Sequence, residues 1–572
     1  MKKRLVLIPF ASMLLSSCIN DFFWKKIPDW DADKTFVSRA IPLVNLASDD
    51  YDIKGEELNI WFVDGSDVPY VNIRNFFNAF DGFFDTENIS YDFDLTRGYV
   101  QLHYQKTFTV IINWGGDMIY SGSYDDFPWY SYQGASTNYS EHLYATNDYY
   151  DRDAFFCLDA AKYDFDILYK DKKCIVPLFL MNTLFCSTSG FNVFYNGEKC
   201  FAVAGETRSL DEYYECGSNK KTQSDDMRNA AVNSLCLVMD TFYGLSEDKG
   251  FKDDGFRKHI EKDTLDYLLS KGSLDNYSGY KKLIYGYLDE LHTRIDLPSY
   301  YCDISKAERT TEDMGERYTE FYARRDSQRE LRSSSITDLN EVRYEDDLAI
   351  ITLDAFETGA QANIYDENGN VKEDAWQHDS YWYMHRCMQS ISSHQEVNKI
   401  VLDLSLNGGG NLGAMERVAG FMTDEKIPCS TYDILDNEYT ITDYYVDIDQ
   451  DGNYGDDAYD DYDWYLLTGV NTYSAANFMA STFKQMGLGK IIGKQSGGGM
   501  CSIFSVVLAD GTAITISSPF TMRYVTKDDK GDMTFHSIEN GIAPDIELDY
   551  ERFYDSTALL TAINSAEAEQ NP

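Results

Sequence analysis

The stretch from residue 463 to residue 487 constrains the fold more than any other part of the sequence. It begins with the apolar run DWYLLTGV, which is typical of a buried strand, and continues as NTYSAANFMASTFKQMG, where the spacing of Phe478, Phe483 and Met486 predicts a helix. Ser474 would then lie at a strand-to-helix junction, beside N–H groups that a helix start leaves without partners. Its hydroxyl is either a nucleophile beside an electrophilic cradle or simply the N-cap of the helix.

A second strand leads into a turn of three consecutive glycines. The run KIVLDLSLNGGGNLG, residues 399–413, joins an apolar strand to this turn, and AMERVAGFM after it has helical spacing. Glycines permit positive φ angles and leave backbone N–H groups uncovered, as an oxyanion- or phosphate-binding turn requires. No Lys-Ser or Lys-Thr pair follows, which disfavours a nucleotide-binding P-loop.

Strands and helices alternate through the C-terminal part of the sequence. LAIITL (348–353) and GKIIGKQ (489–495) have the character of strands, and SVVLADGTAITIS predicts a hairpin that turns at Asp510 and Gly511. The alternation predicts an α/β core over residues 341–572 with a mostly parallel sheet. In such sheets, ligands bind at the carboxyl ends of the strands.

Length and charge narrow the class of protein. The chain has 572 residues, enough for about two to four domains. Its formal net charge is −45, from 50 basic and 95 acidic residues. Because this charge repels phosphates, nucleic acid is excluded as an expected partner.

The N-terminus has the form of an export signal. Basic residues at positions 2–4 precede an apolar stretch that runs to Leu15 and is too short to span a membrane. The ending LSSC resembles the lipobox of bacterial lipoproteins, which implies removal of residues 1–17 and a lipid on Cys18. An ordinary secretory signal with an incidental cysteine is the alternative. No later apolar run approaches spanning length, so we expect a protein of the bacterial cell envelope that lipid alone holds to the membrane.

Residues 18–225 are predicted to be a β-rich region and residues 226–340 a helical subdomain. In the first, ELNIWFVDGSDVPYVNIRNFFNAF (57–80) predicts strand, turn, strand and short helix. In the second, SLCLVMDTFYGL (234–245) has apolar residues at intervals of three and four. Residues 119–150, rich in Tyr, Ser, Asp and Asn, are predicted to be a solvated loop, with a carbohydrate- or peptide-contacting surface as the alternative.

Cysteines and acidic residues bear on metals and cofactors. The ten cysteines besides Cys18 form no C-x-x-C pair or metal-ligand cluster, so neither a zinc site nor a cofactor is predicted. Export permits disulfides, but the sequence fixes no pairing.

One acidic loop has the alternating spacing of calcium-binding loops. Its alternating aspartates are Asp447, Asp449 and Asp451. The position that holds a bidentate Glu in an EF-hand is Ala458, so calcium would need Asp456 or Asp457 instead. We predict a solvated loop and no metal, with calcium as the alternative.

Five short motifs together resemble one enzyme family. In order they are DLSLNGGGNL, NTYSAANFMA, GKIIGKQSGGG, LADGTAITIS and ENGIAPDIEL. This order resembles the C-terminal-processing (tail-specific) serine peptidase superfamily, which includes the tricorn protease core, over about residues 226–555. The resemblance implies a ClpP/crotonase-like α/β core and serine-type peptidase activity on peptide or protein substrates.

The resemblance also assigns the nucleophile and the oxyanion hole. It implies that Ser474 attacks the substrate carbonyl. The N–H groups of Ala475, Gly408 and Gly409 would then bind the oxyanion. Such preorganised donors typically contribute about 3–4 kcal/mol to the transition state.

The base departs from the commonest pattern of the family. Members of the Ser-Lys type carry a lysine after a turn that follows the nucleophile, but here Gly499 occupies that position. Lys494 belongs to the end of the preceding strand. Since a lysine base needs its amine within hydrogen-bond reach of the hydroxyl, a Ser-Lys dyad is not expected.

The tricorn-like branch of the family implies a different base. That branch uses a histidine from an upstream Asp-x-x-His segment and a glutamate near a Pro-Asp motif. LDELHT supplies His292, and SIENGIAPD supplies Glu539. A neutral imidazole can take the proton from Ser474 and return it to the leaving amine. His536 is the competing base.

We find no room for a PDZ module between His292 and the strand LAIITL, because this interval is short and largely charged. We therefore predict a lipid-anchored serine endopeptidase of the Ser-His type. The alternative is a lipoprotein that keeps the peptidase fold and binds peptides or other ligands without turnover. The sequence does not fix the oligomeric state.

Overall fold

The computed structural model describes residues 30–132, 142–150, 155–205, 209–308, 314–528 and 530–570. The predicted export signal and Cys18 lie outside these ranges. In the N-terminal half, the strands are β1 (Phe36–Asn45), β2 (Glu57–Val63), β3 (Tyr70–Asn72), β4 (Ile89–Asp94), β5 (Tyr99–Tyr104), β6 (Phe108–Asn113), β7 (Met118–Ser121), β8 (Leu143–Tyr150), β9 (Phe156–Asp159), β10 (Leu168–Lys170), β11 (Lys173–Pro177), β12 (Phe191–Tyr195) and β13 (Cys200–Ala204). Further along the chain they are β14 (Arg294–Leu297), β15 (Arg343–Glu345), β16 (Leu348–Thr352), β17 (Lys399–Asp403), β18 (Ile427–Asp433), β19 (Glu438–Val446), β20 (Asp463–Thr468), β21 (Gly489–Gly493), β22 (Cys501–Val507), β23 (Ala513–Lys527), β24 (Met533–Ser537) and β25 (Ile546–Glu547).

The α-helices of the described residues are fewer than the strands. They are α1 (Ile73–Ala79), α2 (Leu178–Phe185), α3 (Asp211–Tyr214), α4 (Asp225–Phe242), α5 (Lys262–Leu268), α6 (Ser273–Lys281), α7 (Glu316–Ser335), α8 (Gln361–Ile364), α9 (Ser380–Ile391), α10 (Leu412–Gly420), α11 (Ala475–Met486) and α12 (Ser556–Gln570). A π-helical turn, Lys282–Leu288, continues α6. In the part of the chain that the structure describes, no helix combines the length and apolar character needed to cross a bilayer.

A six-stranded sheet forms the centre of the C-terminal part. Its order is β15-β16-β17-β20-β21-β25, in which β15 is antiparallel to β16 and the other pairs are parallel. Every residue of β16 and β17 is buried, as expected for parallel strands that helices cover on both faces. The predicted α/β core with a mostly parallel sheet is confirmed.

A second, antiparallel sheet lies in the same part of the molecule. Strands β14-β23-β18-β19-β8 follow one another, and β22 and β24 also pair with β23. Strand β8 comes from the N-terminal region and pairs with β19 over its whole length, from Leu143 opposite Val446 to Tyr150 opposite Tyr439. The solvated loop predicted for 119–150 is therefore wrong where β7 and β8 lie. Since β8 is an exposed edge strand, its composition is polar and gives no alternation.

The predicted β-rich region is confirmed for the described N-terminal residues. It contains a seven-stranded sheet, β10-β11-β3-β2-β1-β13-β12, and a five-stranded sheet, β4-β5-β6-β7-β9. Its core continues into the rest of the molecule, because the ring of Phe242 on α4 lies 5.5 Å from that of Tyr124 and 5.4 Å from that of Phe504 on β22. The N-terminal region and the α/β core therefore share one hydrophobic core.

Candidate active site

Ser474 lies between β20 and α11 in a strained backbone conformation. Its φ is 58° and its ψ is −124°, which a residue with a Cβ adopts at a cost of about 1–3 kcal/mol. Its N–H donates to the carbonyl of Gly498 at 2.9 Å, and its side chain makes no capping hydrogen bond. The side chain of Ser474 therefore does not cap the helix as an ordinary N-cap would, and the residue is half-buried.

The triple-glycine turn packs directly against this serine. Gly409 has a φ of +105°, and a Cβ added to it would lie 2.7 Å from Ser474 Cβ and 2.9 Å from the carbonyl oxygen of Tyr473. Only glycine fits there. Asn407 holds the turn, because its Nδ2 donates to the Leu353 carbonyl at 3.0 Å and its own carbonyl accepts from Tyr473 N–H at 3.0 Å.

The predicted oxyanion hole needs one correction. The N–H of Gly409 donates to Asn407 Oδ1 at 2.8 Å, because the Asn407 side chain folds back over the turn, so this donor is already used. The N–H groups of Gly408 and Ala475 have no acceptor among the described residues. Gly408 is exposed, and no atom would crowd a Cβ at its position. These two N–H groups are the donors left beside the serine.

The LDELHT segment places His292 through its acidic residues. The π-helical turn ends at Asp289, whose carboxylate accepts the N–H groups of Arg317 and Tyr318 at 3.0 and 2.9 Å and so caps α7. Glu290 accepts the N–H of His292 at 2.9 Å. The imidazole then packs on Tyr473, the residue before the serine, with 4.8 Å between ring centroids. The structure thus brings the predicted base to the neighbour of the predicted nucleophile.

The surroundings of His292 keep its ring neutral. Burial, together with the positive charges of Arg317 and Arg294, lowers the pKa of His292 to about 3. Its Nδ1 is buried and has no hydrogen-bond partner among the described residues. No hydrogen bond joins the imidazole to the hydroxyl of Ser474 in the part of the chain that the structure describes. Neutral imidazole is the form that accepts a proton, but its orienting partner is missing in this conformation.

Glu539 is buried beside the site and is bound by an arginine. Arg317 Nη1 donates to Glu539 Oε1 at 2.6 Å, and Met500 N–H donates to Oε2 at 2.9 Å. The guanidinium of Arg317 also lies 5.8 Å from the centroid of the Tyr473 ring. Arg317 therefore connects Glu539 to Tyr473 and so to the rest of the site. Sequence reasoning missed Arg317, since it lies in a largely charged stretch that was considered only as room for a PDZ module.

Glu290 is a second residue that sequence reasoning missed. It is fully buried, and its carboxylate accepts from Ser517 Oγ at 3.1 Å and from the hydroxyl of Thr293. Burial raises its pKa. Its position two residues before His292 was the only signal in the sequence. It anchors the backbone that carries the imidazole.

The position of the family's lysine is filled by another side chain. Gly499 has a φ of +86°, and a Cβ there would lie 2.5 to 2.8 Å from ring atoms of Tyr473. A lysine side chain at 499 therefore has no space while Tyr473 keeps its place. Lys494 Nζ is held by Glu547 at 2.9 Å and Asp549 at 3.2 Å.

The competing histidine is engaged elsewhere. His536 stacks on Tyr524 at 4.5 Å between centroids, and its Nε2 lies 2.8 Å from Thr526 Oγ1 on the β23–β24 hairpin. These contacts occupy the ring in a hairpin rather than at the serine.

The acidic loop after β19 brings its alternating aspartates together. Carboxylate oxygens of Asp447, Asp449 and Asp451 all lie within 4.8 Å of one another. The loop's own N–H groups bind them, since Asp447 accepts from Gln450 at 2.8 Å and from Gly452 at 3.2 Å. Calcium binding stays an alternative that these contacts do not test.

Comparisons with known proteins match this part of the chain. Residues 347–548 match the sequence profile of peptidase family S41. No curated protein matches the chain significantly. The photosystem II D1 C-terminal processing protease is 21% identical over 37% of this chain and 46% of its own length, so the match spans about half of that protease, with a TM-score of 0.24. A protein from Parabacteroides merdae is 16% identical over 59% of this chain and 96% of its own, with a TM-score of 0.38. The tricorn protease is 17% identical over 42% of this chain and 19% of its own, with a TM-score of 0.23.

Proposed function

We propose that this chain, whose residues 347–548 match peptidase family S41, cleaves peptide bonds through an acyl-enzyme on Ser474. The observation that carries this proposal is the strained turn at Ser474, which presents a hydroxyl free of capping bonds beside the unused N–H of Ala475. A strained strand-to-helix turn is a recurrent way to expose a nucleophilic serine. The substrate class is peptide or protein.

The chemistry proceeds in two balanced steps. Ser474 Oγ attacks the carbonyl carbon as His292 accepts the hydroxyl proton, and the N–H groups of Ala475 and Gly408 stabilise the oxyanion. The C–N bond then breaks, and His292 returns the proton to the leaving amine. Water cleaves the ester by the same route in reverse. Glu539 orients this site through Arg317. The imidazole must move from Tyr473 toward the hydroxyl, as is common when catalytic hydrogen bonds form only with substrate.

A binding protein without turnover is the second candidate. It is favoured by the lowered pKa of His292 and by its Nδ1, which has no partner among the described residues. A base of such low pKa accepts a proton weakly unless substrate binding changes its surroundings. A protein of this kind would bind a peptide beside Ser474 and release it uncleaved.

We also propose that the chain is held in the bacterial envelope by a lipid on Cys18. The support is the sequence alone, a basic start, a short apolar run and the lipobox-like LSSC. Fractionation tests it: Cys18→Ala should move the protein from the membrane fraction to the soluble one. An equal membrane share for the variant would remove the anchor.

Cleavage of an unfolded protein tests the proposed activity. Purified chain is incubated with denatured casein, and new peptide N-termini are counted by mass spectrometry. The proposal expects new termini with wild type and none above background with Ser474→Ala. Equal cleavage by both proteins would remove Ser474, whereas binding of casein peptides without cleavage would favour the second candidate.

A further inference from the structure

A cavity of about 390 Å³ lies between the N-terminal region and the β22–β23 hairpin. Both parts of the molecule line it, and its large side chains are apolar. They are Tyr124 and Pro128 on one side and Ile503, Phe504, Pro519 and Phe520 on the other. We call it the apolar chamber. Its volume is within the usual range of ligand-binding pockets.

Two large apolar side chains of the chamber are exposed to solvent: Ile503 is 42% exposed and Phe520 is 38% exposed. The chain carries a net charge of −45, so most of its surface is strongly hydrated. Exposed apolar side chains that line a common concave site mark a binding surface more often than scattered single ones do.

The chamber is close to the nucleophile along the chain. Gly498, whose carbonyl accepts the N–H of Ser474 at 2.9 Å, is four residues before Ser502 in the chamber wall. Four residues span at most about 14 Å. On the other strand, Ser518 of the wall follows Ser517, whose hydroxyl bonds to Glu290, the anchor of His292. Ser502 therefore lies within about 14 Å of Gly498, so a peptide bound at Ser474 would need at least about four of its own residues to extend to the chamber wall.

Strand β22 offers a way for a peptide to enter. Among the described strands, β22 pairs only with β23. The Ser505 carbonyl on its other edge already accepts from Asn192 Nδ2 at 3.4 Å, so a peptide would pair before it, at Ser502, Ile503 and Phe504 in the chamber wall. A strand edge of this kind can pair with an extended peptide. Alternate side chains of such a peptide point to the same face, so one of them would enter the chamber.

We propose that the apolar chamber is a specificity pocket for a large apolar side chain of the peptide substrate. This inference rests on the proposed peptidase function. It gives the N-terminal region a part in substrate selection, since Tyr124 and Pro128 complete a pocket that the core leaves open. A basic side chain would lose its hydration against mainly apolar walls that include one carboxylate, Asp125, so it is selected less well.

Paired peptides test the proposal. Peptides that differ at one position, Phe or Leu against Ser or Lys, are scanned over the four positions on each side of the cleaved bond. An apolar residue at one position should raise kcat/KM by about 10- to 100-fold. The ratio to compare is the kcat/KM of the apolar peptide divided by that of its Ser or Lys partner. Ile503→Asp places a charge in the chamber wall and Ile503→Trp fills the chamber, so both should lower this ratio at least about tenfold.

Val371→Asp is the matched control, since Val371 is 40% exposed and lies outside the chamber. It should leave the ratio unchanged. An equal ratio in wild type and both Ile503 variants would overturn the proposal. If no peptide is cleaved, the proposed activity fails separately, and the same Phe and Ser peptides are compared by fluorescence anisotropy for binding to the full chain. Preferential binding of the Phe peptide that Ile503→Asp removes would support the chamber, and equal binding would overturn it.

Discussion

The surroundings of Ser474 and of His292 differ in how many of their polar atoms are hydrogen-bonded. Around the serine, backbone hydrogen bonds from Ser474 to Gly498 and from Tyr473 to Asn407 fix the turn, and only the hydroxyl and two N–H groups are left over. Around the histidine, Nδ1 of the ring and the hydroxyl of Tyr473 are buried without partners among the described residues. The proposed nucleophile is held in place in this conformation, whereas the proposed base is not.

The difference indicates where the site must adjust. A strained turn held by backbone bonds cannot shift without breaking them, whereas an imidazole that makes no ring hydrogen bond to a described residue can reorient without losing one. The proposed catalysis therefore requires a movement of the His292 side chain.

The largest effect is expected from replacing Ser474, the proposed nucleophile. Ser474→Ala should lower casein cleavage by about 10³-fold or more, because the proposed acyl-enzyme forms on the hydroxyl that this change removes. The variant keeps the turn, so its circular dichroism and unfolding curve should match those of wild type closely. Residual cleavage within tenfold of wild type would show that the reaction does not pass through Ser474.

The burial of His292, the proposed base, is tested by measuring stability as a function of pH. The pKa of His292 is about 3 in the folded chain, against about 6.5 in an unfolded one. Between these values the unfolded chain binds the extra proton, so the stability due to this group is complete above about pH 6.5 and is lost as the pH falls toward 3. The free energy of unfolding of wild type should fall relative to that of His292→Gln by up to about 1.4 kcal/mol per pH unit.

Urea unfolding of both proteins between about pH 7 and pH 5 measures this difference, and the comparison with His292→Gln removes the contributions of other titrating groups. Parallel pH profiles would mean that the imidazole is not held neutral by burial. The difference between the surroundings of Ser474 and His292 would then not include a neutral, buried imidazole.

Two neighbouring glycines distinguish the effect of crowding Ser474 from the effect of simply replacing a glycine in the turn. Gly409→Ala puts a Cβ 2.7 Å from Ser474 Cβ at a φ of +105°, so it should cost about 1–3 kcal/mol of stability and much of the activity. Gly408→Ala meets no atom within 4 Å and keeps its N–H, so its change in stability should stay within about 0.5 kcal/mol. Thermal unfolding compares the two variants, and equal losses would contradict the close contact with Ser474.

The smallest expected effect concerns strain at the nucleophile. Ser474→Gly relieves a φ of 58°, whereas Ser474→Ala retains it. The glycine variant should therefore be more stable than the alanine variant by about 1 kcal/mol, despite the greater freedom of glycine in the unfolded chain. Urea midpoints measure the difference. A more stable alanine variant would argue against a strained turn.

The sequence predicted the parts of the site that depend on neighbours in the chain. The strand before Ser474, the helix after it and the glycine turn all follow from apolar periodicity and from glycine at 409. The use of the Gly409 N–H by Asn407 was not predictable, because a side chain that folds back on its own turn leaves no periodic signal. The ion pair between Arg317 and Glu539 joins residues 222 positions apart, and β8 pairs with β19 across a still longer interval, so no local pattern records either contact.

The rate at which a fluorophosphonate labels Ser474 tests the central claim most directly, since labelling requires both the nucleophile and its activation. Wild type, His292→Gln and the control His536→Gln are compared, with the labelled peptide located by mass spectrometry. The account predicts label on Ser474, slowed by about 10²-fold or more in His292→Gln and unchanged in His536→Gln. Label on another residue, or equal rates with and without His292, would contradict it.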